Sequence, residues 1–93
     1  MSIEFHFAPE MNCLYVMGDL TIYTIAEAKM AMELHKGIRL DLAKVLEVDG
    51  AGLQLLMALK RDAQISIAVA SAAVADMLRL SGQTGLLAEE NTS

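Results

Sequence analysis

The segment LDLAKVLEVDGAGLQLLMALK, residues 40–60, decides the fold of this chain. Residues 38–42 are a short apolar run interrupted by Arg39 and Asp41, and residues 45–48 continue it towards Asp49, which predicts one strand followed by a bend. Asp49 and Gly50 interrupt this pattern, and the apolar positions then recur at the spacing of a helix. The segment therefore predicts a strand leading directly into a helix, whose inner face is formed by Gly52, Leu55, Leu56, Leu59 and Ala63.

The N-terminal residues predict a hairpin ahead of this segment. Residues 3–7 alternate apolar and polar side chains, as in a half-buried strand. Turn-forming residues 8–12 lead to an apolar run, residues 13–17, that we expect to end at Gly18 and Asp19. The inward-facing residues of the first strand are expected to be Ile3, Phe5 and Phe7.

Two further helices and a strand complete the predicted order. Residues 22–35 are strong helix formers, and Gly37 follows them as a stop signal. Residues 65–69 alternate as a strand, and Ser71 is the expected N-cap of a last helix ending at Gly82. The order strand, strand, helix, strand, helix, strand, helix favours a mixed sheet with helical crossovers. The expected buried face of the last helix is Val74, Met77 and Leu78.

Composition limits the function classes. The chain has 93 residues, of which 55% are hydrophobic, enough for one core. Seven Lys and Arg against twelve Asp and Glu argue against a nucleic acid partner, which requires clustered positive charge. No run approaches the roughly 20 apolar residues of a membrane helix, so we expect no direct membrane insertion. The single cysteine, Cys13, lies in an apolar run and is expected to be buried in a reducing compartment, which favours a cytoplasmic location.

The sequence offers no pattern for catalysis, a metal or a cofactor. His6 and His35 are too few and too far apart in sequence to form a metal site with supporting ligands. No nucleophile stands near a base in a known motif. Residues 50–52, Gly-Ala-Gly, lack the longer glycine pattern and the Lys-Ser or Lys-Thr of a phosphate-binding loop. We therefore expect no catalytic residues, no metal and no cofactor.

Asp49 has three interpretations. As an N-cap, its carboxylate would accept hydrogen bonds from the first turn of the following helix. It could in addition contact a partner. A phosphoacceptor of the receiver type would need Mg²⁺ and a compact acidic cluster, which Asp41 and Glu47 do not establish. Gly52 is expected to pack against the sheet.

The outer side of the same helix predicts a docking surface. Leu53 and Met57 are four residues apart and are projected to face solvent next to Gly50, which has no side chain. Gln54 and Arg61 would supply a polar border. The complete set of predicted partner-binding residues is Asp49, Gly50, Ala51, Leu53, Gln54, Met57 and Arg61.

Three blocks of the chain resemble the STAS family, which is named from sulphate transporters and anti-sigma factor antagonists. They are residues 40–60, residues 18–24 (GDLTIYT), and Leu80-Ser81-Gly82 with Leu86-Leu87. The resemblance implies an α/β fold: a single STAS-like domain over residues 1–88, with a four- to five-stranded mixed sheet and about three helices packed on one face. Residues 89–93 would form a flexible tail.

The resemblance also implies a function. Bacterial members of this kind are non-catalytic adaptors in signal transduction, and many bind an anti-sigma factor kinase around the second helix. In these members the strand-to-helix motif reads Asp-Ser-Ser-Gly or Asp-Ser-Ala-Gly, and its first Ser is phosphorylated to release the partner. Gly50 occupies that position here, and residues 25–65 contain no Ser, Thr or Tyr. We therefore expect docking through the second helix without the phosphorylation switch, which requires an acceptor oxygen.

Other partners and roles remain open. A component of a two-component or chemotaxis-like pathway is a further partner class. The alternative function is a cytoplasmic STAS subunit of an ABC-type phospholipid transport complex, although those subunits commonly carry Thr where Gly50 stands. A module that responds to a nucleotide or another small ligand is a third interpretation. The sequence also leaves a homodimer open.

Overall fold

The computed structural model of the chain describes residues 2–34 and 37–82. It contains four strands and three α-helices: the first two strands form an N-terminal hairpin with a short 3-10 turn at Pro9–Met11, and helices and strands alternate after it. In chain order they are β1 (Ile3–Ala8), β2 (Cys13–Leu20), α1 (Ile25–Glu33), β3 (Arg39–Val48), α2 (Gly50–Ala63), β4 (Ser66–Ala70) and α3 (Ala72–Leu80).

The four strands form one mixed sheet in the order β1-β2-β3-β4. β1 pairs with β2 in antiparallel fashion, with Phe5 opposite Val16. β2, β3 and β4 are parallel neighbours, so α1 and α2 are crossover connections between adjacent strands. Because β2 and β3 are parallel, their carboxyl ends lie side by side, with Leu20 opposite Val48. The loops that follow these two strands therefore meet.

The three helices pack on one face of the sheet. A single core contains residues of α1, α2 and α3 together with the inward-facing residues of the strands. The predicted α/β mixed sheet with three helices on one face is confirmed. The predicted inner face of α2 is confirmed residue by residue, since Gly52, Leu55, Leu56, Leu59 and Ala63 are all buried.

Local chemistry explains where the second and third helices begin. Asp49 caps α2 by accepting a hydrogen bond from the Gly52 N–H, and Ser71 caps α3 by accepting one from the Val74 N–H. Gln64 closes α2 in the left-handed conformation (φ 57°). Gly82 follows α3 at φ 70°, a conformation that suits glycine. Both expected caps are confirmed.

Three details of the predicted elements were wrong. β2 continues beyond Gly18 to Leu20, because Gly18 at φ 108° absorbs an irregularity in the strand and Asp19 donates its N–H to the Ser2 carbonyl. Helix α1 begins at Ile25 instead of residue 22, after a turn at residues 21–24. Met77 of α3 is only partly buried, since the buried face of that short helix is Val74 and Leu78.

Some predictions lie outside the described residues. These are the surface position of His35, the role of Leu86-Leu87 and the tail at residues 89–93. None of the helices in residues 2–34 and 37–82 has the length and apolar character needed to cross a membrane.

Candidate functional site

Asp49 joins the two loops that meet at the carboxyl ends of β2 and β3. One carboxylate oxygen, Oδ1, accepts the Gly52 N–H at 3.0 Å, and Oδ2 accepts the Ile22 N–H at 3.0 Å. The Asp49 N–H donates to the Leu20 carbonyl at 3.3 Å. The hydrogen bond from Ile22, followed by those from the first turn of α2, lowers the pKa of the Asp49 carboxyl below its ordinary value. The N-cap interpretation of Asp49 is thus confirmed, and the same carboxylate also anchors the β2–α1 loop.

The β2–α1 loop is held by a pair of threonines that sequence reasoning did not single out. Thr24 Oγ1 accepts the Thr21 N–H at 3.0 Å and donates to the Asp19 carbonyl at 2.7 Å. Both threonines are buried. A local signal was present, because Ser and Thr directly after a strand often bond to nearby backbone and form turns. The turn gives the Ile22 N–H a fixed position opposite Asp49.

The two glycines at the start of α2 have different surroundings. A Cβ added to Gly52 would collide with the Leu20 carbonyl oxygen and with Val48 Cγ2. Gly52 therefore allows α2 to approach the sheet closely, as predicted. A Cβ added to Gly50 would meet no heavy atom within 4 Å, and the φ of Gly50 does not lie in the left-handed region. The fold requires a glycine at position 52 and not at position 50.

Most of the predicted docking residues lie on the outer side of α2. Gly50, Gln54 and Arg61 are exposed, and Met57 retains 37% of its accessible surface. Arg61 forms an ion pair with the adjacent Asp62 at 3.0 Å. Ala51 and Asp49 are half-buried at the helix start.

Leu53 departs from the predicted exposure. It is half-buried and packs against the core. A projection at 100° per residue places Leu53 at the border between the inner and outer faces of α2, where it can turn towards the sheet. The exposed apolar surface of α2 is thus narrower than predicted, and Met57 is its main apolar residue.

Exposed apolar side chains from the neighbouring loop extend this surface. Ile22 and Tyr23 are exposed, and the Ile22 backbone is bonded to Asp49 at the start of α2. The sequence did not reveal this, because the two segments are 27 residues apart. We call the set Ile22, Tyr23, Gly50, Gln54 and Met57 the α2 surface.

The start of α2 is a poor site for a phosphate. Helix N-termini attract anions through free N–H groups, but the Gly52 N–H already donates to the Asp49 carboxylate. The negative charge of that carboxylate would also repel a phosphate. This geometry gives no support to nucleotide binding at residues 49–52.

Other reactive groups are separated from the α2 surface. A shallow recess of about 570 Å³ lies on the face of the sheet opposite the helices, and its lining includes His6, Tyr15, Asp41 and Lys44. Cys13 is buried, and its burial raises the pKa of the thiol. Within residues 2–34 and 37–82, no group of three or more His, Cys, Asp or Glu side chains could hold a metal ion.

Comparison with known proteins identifies the family of the chain. Residues 3–88 match the family described as "Mlab, STAS domain". A search of curated proteins found no match. The family match covers most of the chain, and the chain therefore belongs to the STAS domain family. STAS domains are in general binding modules that mediate interactions between proteins.

Proposed function

We propose that this STAS domain is a non-catalytic cytoplasmic adaptor of the anti-sigma factor antagonist type, which docks a protein partner through the α2 surface. The observation that carries the proposal is the exposed Gly50 at the first turn of α2. A glycine costs helix stability relative to alanine, and at this position neither φ nor lack of space requires it. A partner that approaches the backbone of α2 closely gives a physical reason for the missing side chain.

The composition of the α2 surface supports docking. Met57 is flexible and polarisable, so it adapts to the shape of a partner. Ile22 and Tyr23 add exposed apolar side chains in the loop that Asp49 holds at the start of α2, and Gln54 provides hydrogen-bonding groups. Contiguous exposed apolar residues with a polar border are typical of interaction sites.

The adaptor would dock without a phosphorylation switch at the family position. Gly50 has no hydroxyl, and the nearby Thr21 and Thr24 are buried in the hydrogen-bonded turn. Buried hydroxyls that bond to the backbone are poor substrates for a kinase. Binding would then be controlled by the amounts of the two proteins or by changes in the partner.

The test compares recovery of partners by the wild type, Gly50→Glu and Met57→Glu from native lysate, with identification by mass spectrometry. Both sites are exposed, so both variants should fold. The Glu of Gly50→Glu lies in the first turn of α2 and also complements the helix dipole. Leu80→Glu on α3 is the matched control, since Leu80 is 81% exposed. Circular dichroism checks the fold of every variant.

We expect both α2 variants to lose a partner that the wild type and Leu80→Glu retain. Recovery of an anti-sigma factor kinase, or of a two-component or chemotaxis protein, would identify the pathway. Equal recovery of all partners by the four proteins would rule out the α2 surface as the docking site.

A second candidate function is a STAS subunit of an ABC-type phospholipid transport complex. The name Mlab in the description of the matched family supports this candidate. The same pull-down separates the two, because this role predicts recovery of a transporter subunit in place of a signalling protein.

A further inference from the structure

Helix α1 presents apolar residues to solvent as well as to the core. Its inward residues Ala28 and Met32 are fully buried. On the opposite side Ala26, Met30 and Leu34 follow one another at intervals of four and form an exposed stripe. Met30 is 73% exposed and Leu34 is 78% exposed. We call these three residues the α1 stripe. A helix that is apolar on both sides is typically covered on both sides, so the α1 stripe is a candidate contact surface for a partner.

The α1 stripe combines protruding side chains with a recess. A shallow recess of about 580 Å³ lies between α1 and β1, and it is lined by Phe5, Glu27, Met30, Ala31, Glu33 and Leu34. A two-fold interface uses the same patch on both subunits, so the patch must contain both projections and a recess that accepts them. The α1 stripe and its recess satisfy this requirement of shape.

The charged residues along one flank of the α1 stripe are complementary to the same residues of a second copy. Lys29 and Glu33 are exposed and lie one helical turn apart, on the side of α1 that faces α2. Neither Lys29 nor Glu33 takes part in the ion pairs of the described part of the chain, which are Arg61–Asp62 and Arg79–Asp76. When the α1 helices of two copies run antiparallel across a two-fold axis, the flank that carries Lys29 and Glu33 in one copy lies next to the same flank in the other copy. Lys29 of each copy then lies opposite Glu33 of the other.

We propose that two copies of this chain form a homodimer through antiparallel contact of their α1 stripes. Met30 lies at the two-fold axis against Met30 of the second copy, and Ala26 packs against the second copy's Leu34. The small side chain of Ala26 leaves room for that leucine. Two Lys29–Glu33 pairs flank the apolar contact and select the antiparallel arrangement. The α1 stripe shares no residue with the α2 surface, so an adaptor of this kind would use different residues for self-association and for docking.

Sedimentation equilibrium over a range of concentrations tests the dimer. We expect the wild type to dimerise and Met30→Glu to bind itself at least about tenfold more weakly, because two carboxylates would face each other at the axis. Leu80→Glu on α3 is the control and should dimerise like the wild type, since it replaces another exposed apolar residue with the same charge.

Two outcomes overturn the proposal. A wild type that remains monomeric up to about 1 mM has no self-association of the strength expected for a docking site. Such a result would leave the α1 stripe to a different occupant or to none. A dimer that is unaffected by Met30→Glu must use another surface.

Charge reversal tests the antiparallel arrangement, and mixing of the variants tests whether the two charged flanks face each other. Lys29→Glu and Glu33→Lys should each weaken the homodimer by about three- to tenfold at low ionic strength, because both pairs become repulsive. In an equimolar mixture of the two variants each interchain pair is again attractive, although the pairs within each helix remain repulsive. Weakening of both variant homodimers supports the antiparallel arrangement, because a parallel pair would already place like charges opposite each other in the wild type. Preferential heterodimer formation, measured by native mass spectrometry, supports direct contact between the two flanks. A statistical mixture of dimers rules it out.

Discussion

The carboxylate of Asp49 accepts the backbone N–H of Ile22 at 3.0 Å, across 27 residues of sequence. This hydrogen bond fixes the β2–α1 loop against the start of α2. Asp49 therefore has two structural functions, as helix cap and as clamp between two crossover connections. The exposed residues on each side of the clamp become parts of one surface.

Replacing Asp49 with Asn should destabilise the chain at neutral pH. An Asn side chain can still cap α2 through its oxygen, but its NH₂ group cannot accept the Ile22 N–H. We expect a loss of about 1–2 kcal/mol in the free energy of unfolding at pH 7, measured by urea denaturation.

The difference between the wild type and Asp49→Asn should depend on pH. The folded-state pKa of Asp49 is lowered from its ordinary value of 3.8. The contribution of the carboxylate is therefore fully present above the unfolded-state pKa and is lost as the pH falls through the folded-state pKa. Urea titrations between pH 7 and pH 3 should show that the two proteins converge in stability below about pH 4. A constant difference over that range would mean that ionisation of Asp49 contributes nothing.

The two glycines of α2 should respond in opposite ways to Ala. Gly52→Ala should cost about 1–3 kcal/mol, because the added methyl group collides with the Leu20 carbonyl and Val48. Gly50→Ala is the matched control, with the same chemical change in open space. It should leave stability unchanged or raise it by up to about 1 kcal/mol through helix propensity. Similar denaturation midpoints for the two variants would contradict the close packing of α2 on the sheet.

Removal of the Ser71 hydroxyl should weaken α3. Ser71→Ala deletes the hydrogen bond accepted from the Val74 N–H, at an expected cost of about 1 kcal/mol. Ser71→Asp is the control, because Asp can accept the same bond and also complements the helix dipole. Thermal unfolding monitored by circular dichroism should rank Ser71→Ala below the wild type and Ser71→Asp close to it. Equal stability of Ser71→Ala and the wild type would show that the cap contributes little.

Cys13 should react slowly while the chain is folded. The thiol is buried and its pKa is raised, so both access and the thiolate fraction are reduced. We expect its reaction with a chromogenic disulfide reagent at pH 8 to be at least about tenfold slower in buffer than in concentrated urea, with free cysteine as the reference. Equal rates in buffer and urea would place the thiol at the surface.

Leu53 illustrates how far helical periodicity can be taken. The same projection identified every buried residue of the inner face of α2 and misjudged Leu53 at its border. Periodicity gives the direction in which a side chain leaves the helix axis. The exposure of a border residue depends on the neighbouring elements that cover that side, which the helix sequence does not contain.

The sequence by itself determined the elements and their order. The strand-to-helix junction at Asp49, the capping role of Ser71, and the inner face of α2 follow from rules that act over one or two turns of chain. Local hydrogen bonding and side-chain periodicity act within a segment, so they can be recognised within it. The resemblance to the STAS family added the sheet with helices on one face.

Tertiary structure alone decided which segments meet. The parallel pairing of β2 with β3 brings Ile22 to Asp49 and exposes Tyr23 beside the start of α2. It also separates the glycines into one that the sheet requires and one that it does not. Contacts between residues far apart in sequence depend on the relative positions of whole elements, and these positions are set by the shared core and by strand pairing.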